Sequence, residues 1–145
     1  MYKRILLAYD GSEAGQKALL ECRDLAQWSQ SEVVLVAVMP SMMAFVGLEG
    51  GVYDIELEAR EKKKFDAILA DGLRSLEAAG FSARGEVVTG EPIEEITRYA
   101  RKVGADLIVV GHKHVGNFAA RWWRGSVSSA LVEHAPCSVL CVILP

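Results

Sequence analysis

The sequence of 145 residues predicts an α/β protein, a doubly wound five-stranded parallel sheet with helices on both faces. Two observations predict it. Short apolar or β-branched runs alternate with longer segments of helical periodicity, in the order β-α-β-α-β-α-β-α-β. Strands separated by helices need right-handed crossovers, which make neighbouring strands parallel and place helices on both faces. In addition, runs such as Glu32–Val38 and Leu107–Val110 are apolar almost throughout, as strands covered on both sides are.

Lys3–Tyr9 (KRILLAY) is the first strand, ended by the turn Asp10-Gly11-Ser12. Ser12 is a good N-cap for the helix that follows, where Ala18, Cys22, Leu25 and Ala26 recur at helical spacing. Glu32–Val38 is the second strand, stopped by Pro40. Ser41–Asp54 has no period and carries Gly47, Gly50 and Gly51; it reads as a long loop. A helix runs from about Ile55 to Ala79, with Phe65, Ile68, Leu69, Gly72, Leu73 and Leu76 on one face and Gly80 as its stop. The run Glu61-Lys62-Lys63-Lys64 lies on its solvated side.

Ser82–Val88 is a more polar strand interrupted by Gly85, which suits a sheet edge. Thr89-Gly90-Glu91-Pro92 opens the third helix, whose buried stripe is Ile93, Ile96, Ala100 and Val103. Leu107–Val110 is the fourth strand, Ser126–His134 the last helix, and Ser138–Ile143 the last strand.

This length suits one domain, residues 1–145, with a full core. Half of the residues are hydrophobic and a quarter charged, the balance of a soluble globular chain. No apolar run approaches the roughly 18 residues of a membrane span. The N-terminal Met1-Tyr2-Lys3-Arg4-Ile5 enters a strand directly, with no room for a signal peptide, so the expectation is a cytoplasmic protein. Cys22, Cys137 and Cys141 show no metal-ligand spacing and read as reduced thiols.

The segment Leu107–Ser126 (LIVVGHKHVGNFAARWWRGS) combines the requirements of an anion site. A strand delivers backbone into a crevice, glycines allow close approach, and a helix N-terminus supplies unpaired N–H groups. No acidic residue lies between Asp106 and Glu133, although the chain carries a net charge of −3. That gap holds Lys113, Arg121, Arg124, His112 and His114. A locally cationic loop on an anionic chain points to a phosphate-bearing small molecule rather than nucleic acid.

The chain resembles the universal stress protein family over its full length. The resemblance rests on the opening ILLAYDGSE, on TGEPIEEI, on ADLIVVGHK and on the closing GSVSSALVEHAPCSVLCV. It implies the strand order 3-2-1-4-5, which makes the first and fourth strands neighbours, with Asp10 and Gly111 on one crevice. It also implies a regulatory adenine-nucleotide binder, for ATP or a related nucleotide accompanied by Mg2+. Asp10 and the backbone at Ala8 and Val38 would hold the adenosine. Gly111, Gly125, Ser126 and Val127 would hold phosphates, with Lys113 or Arg124 neutralising charge. The family dimerises through its last strand, so Val139, Cys141 and Ile143 would form a homodimer edge.

Nucleotide-binding members carry a glycine, two residues, a second glycine, nine residues, then a glycine followed by Ser or Thr. Here Gly111 and Gly125-Ser126 match the ends, but His114 replaces the second glycine and the interval is one residue longer. His114 tolerates the left-handed region better than most residues, and its ring could meet a phosphate directly. A second reading is therefore open: a nucleotide-independent interaction module whose loop has diverged.

Each site residue also has a bland reading. Asp10 can simply stabilise the turn into the first helix, and Ser126 can simply cap the last. His112 and His114 form an H-x-H pair without a third ligand, so no metal site is expected. Trp122 and Trp123 are adjacent and cannot share a helix face; packing suits them better than base stacking. The chain has neither a G-x-S-x-G elbow nor a P-loop, and it reads as a binding protein rather than an enzyme.

Overall fold

A computed structural model describes residues 1–41, 55–113 and 125–145. Five strands, β1 (Arg4–Ala8), β2 (Glu32–Met39), β3 (Arg84–Thr89), β4 (Leu107–Lys113) and β5 (Ser138–Leu144), form one parallel sheet in the order β3-β2-β1-β4-β5. The helices are α1 (Glu13–Ser29), α2 (Ile55–Ala78), α3 (Pro92–Val103) and α4 (Gly125–His134). The expected fold class and strand order are both present.

Alternation along the central strands divides the core in two. Ile5, Leu7, Val33 and Leu35 face α1 and α2, packing on Ala18, Cys22, Ala26 and Leu76. Leu6, Ala8, Val34, Val36 and Val38 face the other way, onto Ile96, Ala100 and Val103 of α3 and Leu131 of α4. This period-two division over strands buried on both faces is what nearly continuous apolar runs encode.

Local signals start the helices as expected. Ser12 Oγ accepts from Gly15 N–H at 3.0 Å and caps α1. Glu91 caps α3 through its carboxylate, which accepts from the Ile93 and Glu94 amides, with Pro92 at the first helical position. At the other end of the sheet, Asp106 accepts from the Lys3 and Arg4 amides at 2.8 and 3.0 Å. The Arg4 guanidinium pairs with Glu32 at 2.8 Å and reaches the Val103 carbonyl. This clamp ties the N-termini of β1, β2 and β4 together.

Two strand expectations need correction. β3 runs through Gly85 rather than being interrupted by it: a Cβ there would lie 2.7 Å from the Leu35 carbonyl, so the glycine fits a close approach to β2. β4 does not stop at Val110 but continues to Lys113, because β5 is long enough to pair Gly111, His112 and Lys113 with Val142, Ile143 and Leu144. The expected loop Ser41–Asp54 lies outside the described residues from position 42 onward.

Candidate functional site

Strand lengths create the crevice. β1 ends at Ala8, level with Val36 of β2 and Val110 of β4. Both neighbours run three residues further, β2 through Met39 and β4 through Lys113, each supported by its outer neighbour β3 or β5. At about 3.3 Å per residue, the notch beyond β1 is about 10 Å deep. Its walls are strand edges that β1 does not cover, and its floor is the turn Tyr9-Asp10-Gly11. Tyr9 N–H bonds to the Val36 carbonyl at 2.9 Å and closes the floor on the β2 side. The notch, walled by β2 and β4, adjoins the switch between β1 and β4, where successive connections leave in opposite directions, the usual position of a ligand crevice in a doubly wound sheet.

Ala8 and Val38 are buried on the face covered by α3. Asp10 stands at the floor, where its Oδ1 accepts from Ser12 N–H at 3.0 Å and from Ser12 Oγ at 2.6 Å. The local role of Asp10 is thus present. Gly111 is close to Asp10 through α1: a Cβ on Gly111 would lie 2.2 Å from the Ala14 carbonyl oxygen and 2.9 Å from Gly15 N. The glycine expected to open a loop is a strand residue against which the first turn of α1 is seated. Its small size is already required by that contact.

α4 begins at Gly125, so Gly125, Ser126 and Val127 form its first turn. His114, Arg121, Trp122, Trp123 and Arg124 lie outside the described residues. Lys113, expected as a phosphate counter-charge, instead pairs its Nζ with Glu13 Oε2 at 3.2 Å. Glu13 is in the first turn of α1, 100 positions away, and no local pattern reveals it as a partner.

The described residues contain no group of three or more His, Cys, Asp and Glu side chains that could hold a metal ion. A Mg2+ here would depend on ligand phosphates and water, its common arrangement. The three cysteines are free; burial pushes the Cys22 thiol up to about 12.

On the β5 edge, the expected trio divides. Val139 and Cys141 pack partly onto their own core, and Cys141 Sγ donates to Ser128 Oγ at 3.4 Å. Ile143 is exposed, as are Leu140 and Val132, two apolar residues the sequence reading passed over. No helix among the described residues is long and apolar enough to cross a membrane.

Sheet order and crevice define a doubly wound α/β protein with an open crevice at the switch point. More narrowly, the chain belongs to the universal stress protein family, which it matches over residues 1–142. It is 34% identical over 97% of its length to a putative universal stress protein of Staphylococcus epidermidis, covering 84% of that protein. It is 31% identical to the universal stress protein YxiE of Bacillus subtilis, over 98% of this chain and 99% of that one. The solved structure of protein MJ0577 superposes with a TM-score of 0.80 at 26% identity, over 100% of this chain and 98% of that one. Among structures alike in fold alone, an Arabidopsis thaliana universal stress protein has AMP bound (TM-score 0.72, 18% identity, 99% and 92% covered). One from Archaeoglobus fulgidus is in complex with dAMP (TM-score 0.67, 22% identity, 97% and 98% covered). Universal stress proteins are generally regulatory or binding proteins.

Proposed function

We propose that this protein is a single-domain, cytoplasmic universal stress protein that binds an adenine nucleotide in the notch beyond β1 and acts as a homodimer. The observation that carries the reading is the shortness of β1. It leaves backbone edges of β2 and β4 facing one crevice, with Asp10 at its floor. In this reading Ala8, Asp10 and Val38 hold the adenosine, the strand edge at Val38 offering backbone groups to the base. Gly111, His114, Gly125, Ser126 and Val127 take the phosphates, the first turn of α4 contributing N–H groups and the positive end of its dipole. Mg2+ would neutralise phosphate charge when the nucleotide carries it. AMP and dAMP in fold relatives support the ligand class.

The dimer would form along the outer edge of β5, where Leu140 and Ile143 are exposed, with Val132 exposed on the preceding helix α4. Titration calorimetry with ATP and magnesium, on protein stripped of bound nucleotide, tests the ligand. A binding isotherm that Asp10→Ala weakens is expected; no heat at millimolar ATP refutes it.

Two observations support the interaction-module reading. Lys113 is engaged by Glu13, and His114 stands in place of the loop's second glycine. Under that reading, protein isolated under native conditions carries no nucleotide by mass spectrometry, and substitution of Gly125 leaves function intact.

A further inference from the structure

Two glycines sit where local propensity disfavours them, one inside a helix and one inside a strand, and they meet at the crevice. Gly15 is the third residue of α1, where glycine is a poorer helix former than alanine. Gly111 lies within β4, where glycine has no side chain to pack. A Cβ on Gly111 would collide with the backbone of Ala14 and Gly15, so its absence lets the first turn of α1 lie directly on β4. A Cβ on Gly15 would lie 2.5 Å from Asp10 Oδ1 and 3.3 Å from Ser12 Oγ. The space above Gly15 is therefore the slot in which the Asp10 carboxylate rests.

Ser12 closes the slot. Its hydroxyl donates to Asp10 Oδ1 at 2.6 Å while accepting from Gly15 N–H at 3.0 Å, and its own amide donates to the same Oδ1 at 3.0 Å. Oδ1 is thus held by two donors at the N-terminus of α1.

We propose that Gly15, seated on Gly111, is the positioning residue for Asp10 in the nucleotide crevice. Its missing Cβ fixes Oδ1 against α1 and leaves Oδ2 to accept a hydrogen bond from a ribose hydroxyl. The inference rests on the adenine-nucleotide reading and adds to it that affinity is sensitive to the sugar hydroxyls through a residue that never touches the ligand. A carboxylate already held in place loses little freedom when the hydroxyl arrives, the benefit of preorganisation.

Gly15→Ala tests this. The added methyl meets the movable end of Asp10 rather than backbone, and alanine suits the helix, so the variant folds. In wild type, ATP should bind about tenfold more tightly than 2′,3′-dideoxy-ATP, the scale of one hydrogen bond to a charged group. In Gly15→Ala that ratio should collapse to about one, as in Asp10→Ala, and the double variant should bind no worse than Asp10→Ala alone. A ratio retained in Gly15→Ala, or an Asp10→Ala loss equal in both backgrounds, overturns the proposal.

The Ser12 amide proton resonance reports the slot without any ligand. Gly15→Ala should move it as Asp10→Ala does, and an unmoved resonance also overturns the proposal. Failure of wild type to bind ATP would overturn the nucleotide reading itself and with it the ribose role. That outcome is seen in wild type alone, whereas failure of the positioning role is seen only in the variants.

Discussion

Replacing Gly111 by alanine places a methyl group where the first turn of α1 now lies. The new carbon would be 2.2 Å from the Ala14 carbonyl oxygen and 2.5 Å from the Ala14 carbonyl carbon, against an ordinary contact of 3.4 Å or more. Both obstacles are backbone, so no rotamer change relieves them, and α1 must retreat from β4 by roughly 1 Å. Overpacking of this kind costs about 1–3 kcal/mol. Removing a glycine returns about 0.4–1 kcal/mol by restricting the unfolded chain. The expected net loss is about 1–2 kcal/mol. An unfolding entropy of about 2.1 cal/mol/K per residue then lowers the melting temperature by about 3–7 °C.

Urea titration and thermal melting followed by circular dichroism measure both quantities, with Gly15→Ala as the control that adds the same methyl against a side chain. The control should melt within about 2 °C of wild type, since its cost is limited to moving one carboxylate and alanine improves the helix. A Gly111→Ala protein as stable as wild type would refute the claim that β4 and α1 are in backbone contact.

Other consequences can be checked separately. Burial alone would raise the Asp106 carboxyl, but hydrogen bonds from the Lys3 and Arg4 amides outweigh it and leave it below the usual carboxylate value. The stability it contributes is therefore complete above that range and is lost as pH falls through the lowered folded value. Asp106→Asn should cost about 1 kcal/mol at neutral pH and progressively less in acid, read from urea unfolding across pH. Cys22 should resist a thiol reagent in native protein, because burial pushes its pKa to about 12, while the partly exposed Cys137 and Cys141 react first. Glu13→Gln should release Lys113 and raise ATP affinity about two- to threefold at low salt, fading at high salt, as exposed ion pairs do. Ile143→Glu on the β5 edge should shift sedimentation velocity towards monomer, whereas Val139→Ala, at a position partly covered by its own core, should not.

What the chain made legible was what near neighbours decide. β2 and the start of β4 announce themselves as apolar runs, Ser12 and Glu91-Pro92 mark where helices begin, and β-α alternation forces parallel strands. The errors fall where a distant partner decides. Gly111 looks like the end of a strand because glycine commonly is, yet Val142 to Leu144 carry the ladder three residues past β1. Lys113 looks like a free cation until Glu13 arrives from α1. By contrast, the α2 stripe reads correctly as one face: Gly72 and Leu76 are buried, and Ile68, Leu69 and Leu73 pack against the same core. At the β5 edge, alternation finds the right pair of faces but cannot say that the body of the protein covers Val139 and Cys141. Gly15 left a visible trace, a glycine inside a helical pattern, whose cause lay in the Asp10 carboxylate folded back over it.

The register of β1 has a consequence for the order of assembly. β1 is the first strand in the chain, yet it joins two halves: Ile5 is level with Val33 on one side and with Leu107 on the other. The β1–β2–β3 half can pair by closing shorter crossovers, whereas the β1–β4 ladder must close a loop of about one hundred residues, a slower step. The notch has no second wall until β4 docks. A ligand held there bridges the early and late halves of the sheet. By mass action it favours only the completed chain, so bound nucleotide would slow the separation of β1 from β4 above every other unfolding step.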